Sequence, residues 1–104
     1  MKILKVSDFS MAPGGRFRKD GPYSGEEFRD DVLIPAIKSL GPNFDEELLI
    51  DLDGGFGYAA SFLDEVFGKL IEKYGAKKGL LNLRFKSDEE PSLLEEIKRY
   101  ILRR

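Results

Sequence analysis

The sequence contains no histidine and no cysteine. Those absences exclude the common zinc sites, thiol nucleophiles, redox thiol pairs and every histidine general base; acid–base chemistry would have to come from Asp, Glu, Lys or Tyr. No apolar run approaches the roughly 18 residues that suggest a membrane span. Met1-Lys2-Ile3-Leu4-Lys5-Val6 meets Ser7-Asp8 before a signal-peptide core develops. Neither charge dominates: 17 basic against 19 acidic residues leave a net −2. The basic residues are interleaved with acids, which argues against a phosphate-tracking, nucleic-acid-binding face. Lack of cysteine suits a reducing compartment, so a cytoplasmic protein is expected, with no membrane and no direct nucleic-acid contact. Internal repeats and low-complexity tracts are also missing.

What is present suffices for one domain, residues 1–104, with 41% hydrophobic and 35% charged residues. A chain of this length buries about two-thirds of its unfolded surface and needs neither disulfide nor metal to fold. Residues 2–6 read as a strand. Met11-Ala12-Pro13-Gly14-Gly15 reads as a turn, Arg16-Phe17-Arg18-Lys19 as a possible short strand, and Asp20-Gly21-Pro22 as another turn. Ser24-Gly25-Glu26-Glu27 has the capping-box pattern of a helix start. Phe28, Val32, Ala36 and Leu40 recur every four residues as that helix's buried stripe, with a kink or a break expected at Pro35 and a stop at Gly41-Pro42.

Leu48-Leu49-Ile50-Asp51-Leu52-Asp53 reads as a central strand covered on both faces, with its two aspartates sharing one side. A helix is expected from near Ser61. Its apolar positions are Phe62, Leu63, Val66, Phe67, Leu70, Ile71 and Tyr74; its polar face is Asp64, Glu65, Lys69, Glu72 and Lys73, and Gly75 comes directly after it. Residues 80–86 alternate as a strand with one wet face. Pro91-Ser92 opens a last helix that turns Leu93, Leu94, Ile97, Tyr100 and Ile101 inward and ends on Arg103 and Arg104. Strands alternating with helices give a small α/β domain, a sheet with helices packed on it.

Several positions carry possible chemistry. Gly55-Phe56-Gly57-Tyr58-Ala59-Ala60 fits G-x-G-x-x-A between a strand and a helix, although 104 residues cannot supply the full dinucleotide fold. A turn needing positive φ explains the glycines more simply. Asp51 and Asp53 have the spacing to ligate magnesium, or, more simply, to accept N–H bonds from loops as strand-end acids. With Gly54 and Gly55 they make up an alternative reading: a small-ligand, magnesium or nucleotide-binding module, or an enzyme built on one. Arg16, Arg18 and Lys19 offer charge to an anion or an acidic partner, or, more simply, are solvated charges beside a turn. Ser61 stands where a phosphate would meet helix N–H groups, yet Ser24…Glu27, Ser61…Asp64 and Ser92…Glu95 all read as capping pairs.

Pro13-Gly14-Gly15-Arg16, Gly21-Pro22-Tyr23-Ser24-Gly25-Glu26-Glu27-Phe28, Ile50-Asp51-Leu52-Asp53-Gly54 and the block from Gly57 to Leu70 together resemble a STAS-like domain family (DUF4325). The resemblance implies a mixed β-sheet flanked by helices. In the STAS antagonists of anti-sigma factors, a serine opening the helix after a central strand is phosphorylated by an ATP-binding protein of the histidine-kinase-like fold. By position Ser61 corresponds to that neighbourhood, in Ala59-Ala60-Ser61-Phe62 where the antagonist motif reads Asp-Ser-Ser-Gly. The expectation is therefore a noncatalytic regulatory domain, with no cofactor, metal or catalytic residue. Ser61 is the candidate phosphoacceptor, and Gly57, Tyr58, Asp64, Glu65 and Arg16 are candidate partner contacts.

Overall fold

The computed structural model describes residues 1–40, 46–74 and 83–103. The helix stop at Gly41-Pro42, the helix-ending Gly75, the strand positions before Leu83 and the terminal Arg104 lie outside the described residues, as do the side chains of Ile71 and Tyr74. Three strands, β1 (Lys2–Lys5), β2 (Leu48–Asp51) and β3 (Leu83–Lys86), form a sheet of order β1-β2-β3. Both pairings are parallel, with Leu4, Ile50 and Phe85 in one cross-strand row. The α/β class with helices against the sheet is as expected; among the described residues every pairing is parallel, where the resemblance implied a mixed sheet.

β2 is central, but only one of its faces is fully covered. Leu48 and Ile50 are buried with Leu83 against the helices, while Leu49 on the opposite face is half-buried and its neighbour Ile3 is 61% exposed. Full coverage of both faces is thus not found among the described residues, and the apolar run at 48–50 reflects a central position in the sheet.

β1 ends at Lys5, one residue earlier than expected, and the chain turns at once into α1 (Val6–Phe9). The possible strand at 16–19 is not one. Residues 18–20 form a 3₁₀ turn, and the preceding carbonyls serve the next helix: Gly15 O accepts from Gly25 N and Arg16 O from Glu26 N. Those bonds leave this segment no ladder to join.

The next helix is built in three parts: α2 (Gly25–Phe28), a π turn (Arg29–Leu33) and α3 (Ile34–Lys38). Ser24 caps it, its Oγ accepting from Glu27 N at 3.1 Å, while Glu27 Oε1 accepts from Tyr23 N at 3.2 Å. Pro35 neither breaks nor ends the run. In a regular helix its ring would press on the carbonyl of residue 31; the wider π turn lies directly upstream, and the chain resumes α geometry at Ile34. The extra residue in that turn moves the buried stripe by one. Phe28 is succeeded in the core by Leu33, Ile37 and Leu40, whereas Val32 and Ala36, the expected members, are only half-buried.

The second helix has the same construction. α4 (Ala60–Leu63) runs into a π turn (Asp64–Gly68), and after a break at Lys69 α5 (Leu70–Tyr74) continues. Phe62, Leu63, Val66, Phe67 and Leu70 fill the core as the pattern demanded. Glu65 does not stay on the polar face: it is buried. Neither Ser61 nor Ser92 is a cap, because the helices start two residues and one residue earlier, respectively, than those serines predict. Ala59 and Pro91 hold the cap positions without a side-chain bond, and their carbonyls accept the first helical N–H groups. The last helix, α6 (Ser92–Leu102), buries Leu93 and Ile97 but leaves Leu94 exposed and Tyr100 and Ile101 half-buried; Arg103 comes after it and stacks on Tyr100.

The two π-containing helices meet at Gly25, where a Cβ would stand 2.8 Å from the Phe62 carbonyl oxygen and 3.0 Å from Glu65 Cβ. Both obstacles belong to the opposing helix and cannot swing aside. Gly25→Ala should therefore destabilise the fold by about 1–3 kcal/mol, read from urea denaturation. Gly15→Ala, with nothing within 4 Å of its Cβ, is the neutral control.

Candidate functional site

The carboxyl ends of parallel strands are where α/β sheets usually present their chemistry. Here that end gathers the loops after β1, β2 and β3. Asp51 Oδ1 accepts from Asp53 N at 3.0 Å, a local turn. The Asp53 carboxylate accepts three further bonds from the end of β3 and the loop after it: Lys86 Nζ at 2.8 Å, Asp88 N at 3.1 Å and Glu89 N at 3.0 Å. Glu89 Oε1 in turn accepts from Gly54 N at 3.0 Å. The lysine bond first, with those loop N–H groups, holds the Asp53 carboxyl at about 2, against an ordinary 3.8, and Lys86 is raised in return.

Asp53 is thus a strut between two loops, and its oxygens are already occupied. Lys5, Asp51 and Lys86 lie side by side across the sheet, so the acid is flanked by two cations in register. Among the described residues no group of three or more acidic side chains is placed to hold a metal ion. The structure brings Asp51, Asp53, Gly54 and Gly55 together, as the ligand-binding alternative required, but into a closed hydrogen-bonded turn.

Gly54 and Gly57 do adopt positive φ, +93° and +129°, and Gly55 passes close to the Met11 carbonyl. The turn is held from both sides, since Phe56 N donates to Met11 O at 2.8 Å. Its side chains face outward: Phe56 is 83% exposed beside Met11, also exposed. Tyr58 is half-buried and donates from its hydroxyl to Leu52 O at 2.8 Å. Burial first, then the negative charges of Asp51, Asp53 and Glu89, push the Tyr58 hydroxyl up to about 12, so it remains a neutral donor.

The residues Arg16, Asp64 and Glu65, singled out separately in the sequence, belong to one ion network. Arg16 Nη1 lies 2.9 Å from Asp64 Oδ2 and 3.4 Å from Glu65 Oε1. Glu65 is 1% exposed and Arg29 2%, and Arg29 Nη1 donates to both the carboxylate and the backbone carbonyl of Glu65. Lys69 Nζ reaches Glu65 Oε1 at 2.9 Å, and Arg29 Nε reaches Asp30 Oδ1 at 2.8 Å. Burial alone would raise the Glu65 carboxyl, but Lys69 and Arg29 outweigh it and hold it below the ordinary range. Glu65 is therefore an interior linker rather than a surface contact. Ser61 lies one helical turn before Asp64 and Glu65, half-buried, at the edge of the Gly57–Tyr58 loop.

Sequence reasoning missed Arg29, Lys69, Lys86 and Phe56. Arg29 and Lys69 carried no signal beyond charge on a helix. Lys86 reads as the polar half of an alternation, and Phe56 was absorbed into a glycine pattern as a filler.

The sequence profile of a family described as "STAS-like domain of unknown function (DUF4325)" matches residues 24–93. That span runs from the Ser24 cap through the ion network and the Asp53 strut to the start of α6. No curated protein and no solved structure matches the chain.

These contacts generate two expectations. Because the folded carboxyl of Asp53 lies below its unfolded value, its stabilisation is complete above the ordinary 3.8 and is lost as pH falls toward about 2. Asp53→Asn should flatten that limb of the stability curve, measured by urea midpoints between those values. Glu65→Leu should cost about 3 kcal/mol or more, since Arg29 stays buried without its main partner. Adding Arg29→Met should recover much of that loss, and strictly additive losses in the double-mutant cycle would disprove the coupling.

Proposed function

For this chain, which belongs to the STAS-like domain family (DUF4325), we propose a noncatalytic regulatory role exerted by docking onto another protein at the carboxyl end of the sheet. The observation that carries this reading is Phe56. A large aromatic side chain stands 83% exposed on a turn fixed by the Met11 carbonyl on one side and by Glu89 on the other. An aromatic exposed on a hydrogen-bonded turn leaves little backbone entropy to lose on binding and suits a buried anchor in a partner's pocket. Met11 is bonded to its backbone, and Gly57, Tyr58 and the opening of α4 follow it in the chain.

The partner expected from the resemblance is a histidine-kinase-like ATP-binding protein, with Ser61 as phosphoacceptor, in the manner of anti-sigma-factor antagonists acting in the cytoplasm. A phosphate there would add about −1.5 to −2 charges. It would arrive one turn from Asp64 and Glu65, the acids that hold Arg16, and would compete with Asp64 for that guanidinium. The segment 13–16 would then loosen from α4 while the buried Arg29–Glu65 pair kept the helices together. Such a switch alters the docking face without melting the fold.

Affinity capture from the native host with the wild-type chain, then calorimetry on the captured protein, tests the proposal. Phe56→Ala should weaken binding by about 2 kcal/mol with an unchanged denaturation midpoint, and Ser61→Asp should weaken or redirect it with the fold intact. Unaltered affinity for Phe56→Ala would sink the docking surface. Amide shifts at Asp51–Gly55 on titration with magnesium and nucleotide would instead favour a ligand-binding module.

A further inference from the structure

Tyr23 has φ +57°, in the left-handed region where a bulky side chain is strained and glycine is the usual occupant. The chain holds it there from both sides: Gly14 N donates to the Tyr23 carbonyl at 2.8 Å, and Tyr23 N donates to Glu27 Oε1 at 3.2 Å. That strain does not serve a closed core contact. The ring meets Phe9 edge-on at 5.4 Å and is still 47% exposed. Tyr23 also hangs on the loop that fixes Phe56. Residues 9–14 bond Tyr23 through Gly14 and Phe56 through Met11, so three exposed apolar side chains, Met11, Tyr23 and Phe56, are tied to one short segment.

We propose, resting on the docking reading above, that Tyr23 is a second anchor of that face and that the two rings receive an arginine- or lysine-bearing segment of the partner protein. Charge names this occupant. The segments that follow the three strands, 6–14, 52–59 and 87–91, hold five acids, Asp8, Asp53, Asp88, Glu89 and Glu90, and no base. With the strand-end Lys5, Asp51 and Lys86 the balance is six acids to two bases, a net −4 in a chain whose total is −2. Lys86 is already paired with Asp53 and Asp88. The bases nearest Tyr23 in the chain are engaged elsewhere: Arg16 by Asp64 and Glu65, Arg18 by Asp31, and Lys19 over the Phe17 ring. Phe17 also carries Lys69 at 5.2 Å and Tyr100 carries Arg103 at 5.7 Å, whereas Tyr23 and Phe56 carry no cation among the described residues. A partner's arginine would stack on such rings and meet carboxylates at their rim, and the same rim turns acidic surfaces away.

Short random peptides displayed on phage and selected on the immobilised full chain test this. Recovered peptides should carry net positive charge, with arginine or lysine beside an apolar residue, and added salt should weaken them. Phe56→Ala, Tyr23→Gly and Tyr23→Ala should each weaken the best peptide about tenfold. Both Tyr23 variants remove the ring, but only glycine relieves the backbone. Tyr23→Gly should therefore denature at higher urea than Tyr23→Ala while binding equally poorly. Binding that instead follows the denaturation midpoint marks Tyr23 as structural and overturns the anchor. Acidic or neutral peptides, or none at all, overturn the basic partner. Basic peptides weakened by Phe56→Ala but not by either Tyr23 variant overturn the second anchor and leave the docking reading standing. Basic peptides indifferent to Phe56→Ala overturn that reading and the shared face with it.

Discussion

The structure turns on one buried ion pair. Arg29 and Glu65 are both charged, both almost wholly enclosed, and each sits in the π turn of its own helix. A buried charge is tolerable only when its partner is held in place, so the pair fixes how the two helices meet. Their approach is close enough that only glycine fits at position 25. Arg16 adds a third cation to the same acids and pins the Pro13–Arg16 segment beneath the helix start, where its carbonyls receive the N–H groups of Gly25 and Glu26. Three stretches far apart in the chain are thereby joined at one place.

The π turns make this geometry possible. Each inserts one residue beyond the regular spacing, rotating the downstream part of the helix relative to the upstream part. In the first helix the insertion accommodates Pro35 and moves the buried stripe from Val32 to Leu33. In the second it belongs to the stretch that draws Glu65 inward while Phe62 to Leu70 remain in the core. The sheet end is organised on a different principle. Asp53 ties the β2 and β3 loops together, and that rigid base projects Phe56 outward beside Met11. Carboxylates that resemble reactive groups in a linear reading are structural, and a glycine-loop aromatic is the residue left for recognition.

The α/β class was legible in the alternation of strand-like and helical segments, since period-two and period-3.6 patterns respond to local burial alone. So were the Ser24 cap, the glycines of the 54–57 turn and the core residues of the second helix, because capping, positive φ and amphipathicity are settled within a few residues. The blocks at 13–16, 21–28, 50–54 and 57–70 together also placed the chain's family. Where the local rule had rivals, it failed. Ser61 and Ser92 fit the capping pattern, but the helices start two residues and one residue sooner, and Arg16–Lys19 had strand composition without a strand to pair with.

By itself, then, the sequence determined the three strands and the longer helices and which side chains form most of the core, because those depend on near neighbours. Only the tertiary structure decided that Glu65 faces inward, that Asp53 is a strut and that Phe56 stands exposed. Each of those outcomes is set by a group 33 to 45 positions distant in the chain — Arg29 for Glu65, Lys86 for Asp53, Met11 for Phe56. Periodicity carries no information at that range.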